Sequence, residues 1–483
     1  MEAALAQSRL TELLGDGRVV TDPEALSAYA TDITEAPAGR PELVAKPESA
    51  EEVQEVIRFA AAQRVPVVPA VARMNVGGLT VPREGGIVLD MSGMNRIVEL
   101  DREHMYAVVE PGVTFGQLKA HLDAEAPELT LSFPLAPPYT SVLANFLLDG
   151  LGNLSLRHGS AGEQIGGLEA VLADGTLVRT GACAVSPVWF ARGPLPDLTG
   201  LFVNWQGSTG VVTKMAVQLW RRPRHSRRLF AFTELEGAFG IVRDLTHSDV
   251  CRDLSALTWP TSKMLLGAEA PLTLDPGEPE VFVYFDVGDD DRELFARKEK
   301  VARGIVASHA ERGLPVAGIV SIDELVEVVP SLARFAEFPM TLDFLLDRPG
   351  GGLTWIGTYG PTREWERAAV RCRDLMLSRG VPPLLVTRPM KGGHYGVLRM
   401  ITCFDKSDAE EVERVRELNA DLLEICLEHG FLPYKAPDWA HAAMESRAHP
   451  GYLDLLSRVK ATLDPDRIMN PGRLHLGGDG FTG

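Results

Sequence analysis

The stretch VVEPGVTF, Val108 to Phe115, joins two β-prone pieces through Glu-Pro-Gly. Glycine tolerates backbone angles that other residues avoid, and proline fixes φ and lacks an N–H donor. Together they predict a tight, stiff turn whose tip carries almost no side chain. Such a turn either simply reverses the chain or lets bare backbone approach a flat partner closely.

Helices and short strands alternate on both sides of this turn. Residues Ser49–Arg64 have helical apolar spacing, with Ser49 as N-cap and two glutamates in the first turn. YAVVEPGVTF predicts a strand that runs into the turn, and TFGQLKAHLDAEA predicts a short helix after it. GGLEAVLADGTLVRTG predicts a hairpin, and Gly210–Trp220 alternates as a strand should.

A change of pattern follows the basic, proline-containing piece RRPRHSRR, which we predict to mark a domain boundary. Beyond it, strands such as PEVFVYFDV alternate with long charged helices such as DAEEVERVRELNADLLEICLEHG. This order predicts a second α+β domain whose sheet carries helices on one face. The tail forms a helix that ends at Asp464-Pro465 and continues into a Pro-Gly turn.

Composition excludes several classes of partner. The 483 residues carry a formal net charge of −18, which argues against a nucleic-acid groove or an anionic membrane surface but leaves a basic electron carrier open. Five scattered cysteines suggest neither a disulfide framework nor a zinc knuckle. Without a signal-like N-terminus or an apolar run of about 20 residues, we expect a soluble, cytoplasmic protein with no membrane partner.

Six loops rich in glycine and small residues carry the strongest functional signal. There is no GxGxxG after a strand, no GxxxxGK[ST], no HExxH and no GxSxG, and we expect no metal site. Backbone N–H groups in loops without bulky side chains bind phosphate oxygens, although each loop alone is also explained as an ordinary turn. The loops are Ala72–Gly78, Val108–Phe115, Pro137–Asn153, Gly159–Gly167, Asn204–Thr213 and Asn470–Arg473.

The order of these loops resembles the flavoprotein superfamily of vanillyl-alcohol oxidase and p-cresol methylhydroxylase. The similarity extends from PELVAKPESAEEVQEVIRFA to LDPDRIMNPGR and includes GGIVLDMSGMNRIVELD, TSVLAN and GSTGVVTKMAVQLW. The resemblance implies an α+β fold, a two-domain flavoprotein with a p-cresol methylhydroxylase-type FAD-binding domain and an α+β substrate (cap) domain. The implied bounds are 1–223 for the FAD-binding domain, 224–455 for the cap domain, and 456–483 for a segment that returns to the first domain.

The resemblance also implies which residues hold FAD. The loop at Val71–Gly78 would cradle the pyrophosphate, although Arg73, Met74 and Val76 are bulkier than the usual residues there. The Pro-Gly turn would support this cradle, and two further loops would close on the ribityl chain and isoalloxazine. The implied FAD-binding residues are Val71, Ala72, Arg73, Met74, Asn75, Val76, Gly77, Pro111, Gly112, Pro138, Thr140, Ser141, Asn145, Ser160, Gly162, Glu163, Gly166, Val211, Val212, Asn470 and Arg473.

Three positions resemble the phenol-binding residues of this superfamily. Tyr106, Tyr434 and Lys435 would together hold a substrate aryloxide, because two phenol donors and a cation stabilise that charge. Lys435 replaces an arginine, and Ser160 stands where phenol oxidisers carry an aspartate. Each tyrosine is also explained as a packing residue.

Further charged residues lie around the start of one predicted strand. His394 is a candidate base, although a lone histidine is more often structural. Arg388, Lys391 and Arg399 lie near it and are candidates for binding a carboxylate, but the pattern favours surface charges.

The resemblance predicts noncovalent FAD. Relatives attach the flavin through a histidine on the strand that matches GGLTWIGTYGP, where this chain has Leu353 and Thr354, with no His or Cys nearby and Tyr359 several residues on.

The implied function is hydride transfer from a small organic substrate to flavin N5, with O2 or an electron carrier as acceptor. A para-substituted phenol or benzylic alcohol is the first expected substrate, and an aliphatic or 2-hydroxy-acid substrate is the alternative. The HxGDGNxH-like metal pattern of D-2-hydroxy-acid dehydrogenases is absent, which argues against that branch. A non-catalytic flavin-binding partner subunit is the alternative of another class, and we expect a homo-oligomer.

Overall fold

The computed structural model of the chain describes residues 3–336, 338–339 and 350–475. The strands are β1 Val19–Val20, β2 Leu43–Ala45, β3 Val67–Ala70, β4 Ile87–Asp90, β5 Ile97–Asp101, β6 Tyr106–Val109, β7 Leu129–Thr130, β8 Ile165–Val171, β9 Leu177–Gly181, β10 Val211–Gln218, β11 Trp220–Arg221, β12 His225–Thr233, β13 Cys251–Thr258, β14 Val281–Asp289, β15 Val316–Ser321, β16 Gly351–Gly360, β17 Leu384–Met390, β18 Tyr395–Asp405 and β19 Leu432–Pro433. The α-helices are α1 Ala3–Leu14, α2 Pro23–Ala30, α3 Ala50–Gln63, α4 Phe115–Glu125, α5 Val142–Leu147, α6 Ser155–His158, α7 Leu235–His247, α8 Trp259–Leu265, α9 Arg292–Glu311, α10 Ile322–Val328, α11 Trp365–Ser378, α12 Ala409–Glu428, α13 Asp438–Glu445 and α14 Pro450–Leu463. Among the described helices, none has an apolar run long enough to cross a lipid bilayer.

The first half of the chain forms two small sheets and a two-stranded pair of β7 with β11. In the first, strands run in the order β1-β2-β4-β3, with β4 parallel to both β2 and β3. In the second, the order is β5-β6-β10-β8-β9 and all pairs are antiparallel. The predicted helix is α3, whose N-cap Ser49 accepts a hydrogen bond from the backbone of Glu52 at 3.2 Å. The predicted hairpin is the β8–β9 pair.

The Glu110-Pro-Gly turn connects β6 to α4. Thr114 begins the helix with a capping box, in which its side chain accepts from the backbone of Gln117 and the Gln117 side chain accepts from the backbone of Thr114. Gly112 donates its backbone N–H to the carbonyl of Met94 at 2.6 Å, so the turn packs directly against residues 92–94. The close approach that this turn allows is therefore to the chain's own backbone.

The second half of the chain forms an eight-stranded antiparallel sheet in the order β15-β12-β14-β13-β17-β18-β16-β19. Its first strand in sequence, β12, begins at His225, so the second half of the basic piece RRPRHSRR belongs to the sheet and only its first half connects the two parts. Helices α7, α9, α11 and α12 pack on one face of this sheet around a core that includes Leu245, Val306, Cys372 and Leu422. Together these sheets and helices confirm the predicted α+β class.

The other face of the large sheet packs against the first half of the chain. One core joins the buried residues of β6, β8, β10, α4 and α5 to Leu257, Phe282, Leu353, Val386 and Ile401 of the large sheet. The side chains of this face are consequently buried between the two halves. A buried charge there is unusual and requires a partner or a ligand.

The end of the described chain returns to the first sheet. Met469 forms a parallel bridge with Val67, and Asn470 donates its backbone N–H to Val67 at 2.8 Å. Buried Lys460 fixes this return by donating to Asp464 at 2.5 Å, to the carbonyl of Ser208 at 2.6 Å and to that of Met469 at 2.8 Å. The C-terminal segment thereby lies beside the loops that follow β3.

Candidate active site

A long cleft lies between the first sheet, α5 and strand β16 of the large sheet. It encloses about 1120 Å³, part of it open to solvent, which suits an extended ligand. The residues of the predicted FAD-binding set that line it are Val71, Ala72, Arg73, Met74, Asn75, Val76, Thr140, Ser141, Asn145, Val211 and Val212. Leu147, Leu148 and Gln206 also line it and belong to loops predicted from the sequence, although not to the implied FAD-binding set. The sequence did not point to Ala136, Phe202 or Trp355 as lining residues.

In the loop after β3, the guanidinium of the bulkiest residue, Arg73, is held by Tyr29 and Ala28. Arg73 has a positive φ of 51°, and its guanidinium lies over the ring of Tyr29 at 4.1 Å and donates to the carbonyl of Ala28. The Asn75 side chain accepts from the backbone N–H groups of Gly77 at 3.2 Å and Leu79 at 2.9 Å. The arginine that replaces a smaller residue therefore does not fill the cleft.

Several predicted FAD-binding residues support the cleft without lining it. Pro111 and Gly112 lie behind it, where the carbonyl of Pro111 accepts from Ser141 Oγ at 2.6 Å. Gly77 is packed so closely that a Cβ would lie 2.7 Å from the carbonyl oxygen of Lys435. The neighbours of these three residues in this structure are protein backbone, so they hold the cleft in shape, and their contact with the cofactor stays a prediction.

The C-terminal residues likewise hold the cleft from outside. Asn470 donates from Nδ2 to the carbonyl of Gln206 at 2.7 Å. Arg473 is buried and donates to the carbonyls of Gly78 and Val81, both at 3.0 Å, and to Asp438 at 2.8 Å. Both residues fix the cradle loops, and neither lines the cleft.

The segment Ser160–Gly166 also lies outside the cleft lining, as does Pro138. The backbone of Ser160 donates to Glu163 at 3.0 Å, and Glu163 pairs with Lys391. The backbone of Gly162 donates to Asp149 at 3.0 Å. This segment therefore connects the edge of the first domain to strand β18, a role that the sequence did not indicate.

Tyr106 does not lie with Tyr434. Its buried ring packs against Val108, Cys183, Trp189 and Ala216, and its hydroxyl donates to Glu99. Burial and this carboxylate raise the pKa of Tyr106. The predicted pairing of Tyr106 with Tyr434 around one substrate oxygen is wrong for this structure, because Tyr106 belongs to a separate cluster that does not line the cleft.

Among the charged residues near the start of β18, the exposure of His394, Arg388 and Arg399 differs from the expectation. That of Lys391 agrees with it. His394 is exposed at the turn before the strand, where a catalytic base would be open to water. Arg388 and Arg399, expected as surface charges, are 4% and 7% exposed. Lys391 is an exposed residue that pairs with Glu163, as a surface charge does. Alternation alone could not reveal the two buried arginines, because the large sheet is covered on both faces.

Arg399, Tyr434 and Lys435 form a cationic group at the β16 end of the cleft, in which Arg399 and Tyr434 are buried and Lys435 is half-buried. The guanidinium of Arg399 donates to the phenol oxygen of Tyr434 and lies 4.5 Å from the ring of Trp355. Lys435 donates to Asn145 Oδ1 at 2.8 Å. In the described part of the chain, neither cation has a carboxylate within ion-pair distance.

The electrostatics of this group favour an anion. Burial, with the nearby charge of Arg399, lowers the pKa of Lys435 to about 7. Arg399 Nε and Asn145 Nδ2 are buried N–H donors that have no hydrogen-bond acceptor in the described residues. Buried donors beside uncompensated positive charge are costly unless a ligand supplies the acceptor.

A carboxylate that the sequence did not single out lies beside this group. Asp149 has a positive φ of 48° and accepts from the Ser160 hydroxyl as well as from Gly162. Burial raises its pKa. Tyr359 donates to the Asp149 carbonyl at 2.7 Å and stacks on Tyr434 with ring centroids 4.4 Å apart. These contacts link the acid to the tyrosines around Arg399.

The cleft fits FAD on its own features. Its walls combine small residues with aliphatic and aromatic side chains, and Gln206 Oε1 and Asn145 Nδ2 are an acceptor and a donor without a partner among the described residues. The Cα register places Cys403 opposite Leu353, so a half-buried thiol lies nearer to the predicted attachment position than the sequence suggested.

Comparison with known proteins agrees with this geometry. Residues 41–181 match the FAD binding domain family, and residues 388–474 match the C-terminal domain of FAD linked oxidases. A mitochondrial D-lactate dehydrogenase [cytochrome] of Arabidopsis thaliana is 33% identical over 90% of this chain and 73% of its own length. The flavoprotein subunit of 4-cresol dehydrogenase [hydroxylating] from Pseudomonas putida is 25% identical over 97% and 94%.

A solved structure shows the same fold. The crystal structure of p-cresol methylhydroxylase with substrate bound superimposes with a TM-score of 0.86 at 21% identity, covering 98% of this chain and 96% of the other. FAD is therefore the cofactor, and the protein is an oxidoreductase. The chain belongs to the vanillyl-alcohol oxidase and p-cresol methylhydroxylase superfamily of FAD-linked oxidoreductases.

Proposed function

We propose that this enzyme oxidises a small organic substrate that presents an anionic oxygen to Arg399, Tyr434 and Lys435. The observation that carries the proposal is that two neighbouring cations, Arg399 and Lys435, have no carboxylate partner in the described residues. When bound in the cleft, FAD supplies the hydride acceptor. The chain's own residues hold the oxygen, exclude water from it and stabilise the charge that it carries.

A para-substituted phenol or benzylic alcohol is the first candidate substrate. The rings of Trp355 and Tyr434 lie against Arg399, and Tyr359 stacks on Tyr434. A guanidinium that hydrogen-bonds a phenol oxygen in such surroundings suits an aryloxide, since both donors strengthen as the substrate oxygen gains charge. In this arrangement Arg399 supplies the fixed charge that the sequence assigned to Lys435 alone.

A 2-hydroxy acid is the second candidate, because the same cations would bind its carboxylate. The D-lactate dehydrogenase relative supports it. Asp149 would then accept the hydroxyl proton through Ser160, since its raised pKa suits a proton acceptor. The named relatives are oxidases and dehydrogenases, so a non-catalytic subunit receives no support.

Anaerobic reduction of the purified yellow protein tests the function. We expect 4-methylphenol and 4-hydroxybenzyl alcohol to bleach the flavin absorbance, and lactate and glycolate to leave it unchanged. Bleaching by hydroxy acids alone would select the second candidate. Flavin that neither class reduces would contradict both candidates.

We propose that FAD is held without a covalent bond. Leu353 and Thr354 at the expected attachment position offer neither an imidazole nor a thiol. Cys403 lies opposite Leu353 and is the alternative attachment residue to check. Acid precipitation should release all flavin into the supernatant.

We also propose domain bounds of 1–223 and 224–455, with 456–483 returning to the first domain. The separation of the sheets between Arg221 and His225, together with the Met469–Val67 bridge, supports these bounds. Residues 476–483 of the returning segment lie outside the described residues.

Lys435 makes anion binding dependent on pH. Its pKa is lowered to about 7, so the side chain is charged below pH 7 and neutral above it. We expect benzoate, which stays ionised throughout, to bind at least about tenfold more weakly at pH 8.5 than at pH 6, since a hydrogen bond to a charged group contributes ~1.5–3 kcal/mol. Benzoate-induced changes in the flavin spectrum measure this affinity.

Two variants separate the lysine from other titrating groups. Lys435→Arg stays charged and should remove the pH dependence, with tight binding at both pH values. Lys435→Met should also remove it, with weak binding at both. A wild-type dependence that survives in either variant would assign the titration to another residue.

A further inference from the structure

A second cavity lies on the same face of the large sheet as Arg399. It encloses about 790 Å³ and is walled mainly by aromatic and aliphatic side chains, including Phe230, Phe232, Leu257, Trp259 and Phe282. Leu135 lines this cavity, whereas the next residue, Ala136, lines the cofactor cleft. The bend at Leu135 and Ala136 therefore borders both spaces.

The strand register places this cavity in line with the cationic group. Phe232 pairs with Phe282, and Phe282 pairs with Leu257. Leu257 pairs with Val386, and Val386 pairs with Arg399. Residues paired across strands share a face, and neighbouring strands lie about 4.8 Å apart. Leu257 is thus about 10 Å and Phe282 about 14 Å from Arg399 along one apolar row.

The arginines at the polar end of this cavity are paired with carboxylates, unlike the cations of the group around Arg399. Arg228 pairs with Asp286 at 2.7 Å, and Arg388 pairs with Asp253. Tyr284 accepts a hydrogen bond from Arg388, which leaves its own hydroxyl hydrogen for another acceptor. Burial raises the pKa of Tyr284 and keeps that hydrogen in place. The cavity suits an uncharged apolar group that carries at most one acceptor oxygen.

We propose that this cavity binds the apolar body of the substrate, whose anionic oxygen lies at Arg399. The substrate is then an elongated amphiphile with an apolar part of about 10–14 Å, such as an aryl group with a long alkyl or aryl extension. This inference rests on the proposed function. It predicts that compact substrates such as 4-methylphenol or lactate use only part of the site.

A series of 4-n-alkylphenols from methyl to heptyl tests the proposal on the FAD-loaded protein. We expect the ratio of the flavin reduction rate to the dissociation constant to rise about fourfold for each added methylene until the cavity is filled, the equivalent of ~0.8 kcal/mol per group. Stopped-flow absorbance without oxygen measures both quantities.

A variant that fills the cavity identifies where the chain binds. Ser262 lines the cavity from the half-buried face of α8, so Ser262→Phe places a ring inside it. We expect this variant to lose the gain with chain length and to reduce with 4-methylphenol as fast as the wild type. Ser262→Ala removes the hydroxyl without filling the space and should keep the gain.

Thermal stabilisation by the same ligands distinguishes this proposal from the proposed function. If no alkylphenol reduces the flavin, yet longer chains raise the melting temperature more and Ser262→Phe removes this trend, the cavity is supported and the proposed function fails. If reduction occurs with no dependence on chain length, or with the same dependence in Ser262→Phe, the cavity proposal is overturned and the function stands. Absence of both reduction and length-dependent stabilisation would overturn both.

Discussion

Arg399→Met is expected to slow reduction of the bound flavin by about 100-fold, which corresponds to ~2.7 kcal/mol in the activation free energy. Loss of one preformed donor to a developing oxyanion typically has this size. Loss of the Arg399 charge should change the stability of the protein little. Arg399 is 7% exposed, has no carboxylate partner in the described residues and donates to Tyr434. Its removal therefore leaves the substrate oxygen without the fixed charge of the site.

The rate of flavin bleaching by 4-methylphenol in a stopped-flow instrument measures this effect. Arg399→Lys keeps the charge but loses the planar fork, so it should recover only part of the rate. Tyr106→Phe is a suitable control, since its hydroxyl donates to Glu99 in a separate cluster. An Arg399→Met protein that binds FAD and is reduced at the wild-type rate would remove Arg399 from the site.

The burial of Arg399 is a feature that the sequence could not reveal. Arg388 and Arg399 occupy alternate positions of strands whose neighbours are apolar on both faces, so the sequence pattern cannot distinguish a buried charge from an exposed one. Their burial results from pairing β17 and β18 in the middle of the large sheet. Contacts between Arg399 and Tyr434, 35 residues apart, depend on that pairing.

Local elements were predictable because local chemistry determines them. Ser49 caps α3 and Thr114 caps α4 through side chains three residues from their partners, which the sequence displays directly. The loop at Val71–Gly78 was identified through the resemblance, despite its bulky Arg73 and Met74, and its residues Val71–Val76 line the cleft. In contrast, Asp149 lies near Ser160 because its own backbone has a positive φ, and no short sequence motif predicts this conformation.

The distinction between lining and supporting residues was also hidden from the sequence. A small residue is needed wherever two chains approach closely, whether the partner is a cofactor or protein backbone. Gly112 and Gly77 belong to the second kind, because their neighbours are the carbonyls of Ser92, Met94 and Lys435. The resemblance names these segments, and only the packing shows which of their faces turns toward the cleft.

Gly112→Ala is expected to have the largest effect on stability. A Cβ at this position would lie 2.3 Å from the carbonyl oxygen of Ser92 and 2.9 Å from that of Met94. Both atoms belong to the backbone and cannot rotate away, so the turn must move and the 2.6 Å hydrogen bond from Gly112 to Met94 is lost. We expect a loss of about 3 kcal/mol in the free energy of unfolding, which for a chain of this length corresponds to about 3 °C in melting temperature.

The same change should weaken FAD binding although Gly112 does not line the cleft. The turn carries the carbonyl of Pro111, which holds Ser141 at 2.6 Å, and Ser141 both caps α5 and lines the cleft. Displacing the turn therefore displaces the start of α5. Gly93→Ala is the matched control, since a Cβ there meets the Glu48 side chain at an ordinary 3.5 Å. If the Gly112→Ala protein keeps its flavin and has the same melting temperature as the Gly93→Ala protein, this turn does not position the cofactor loops.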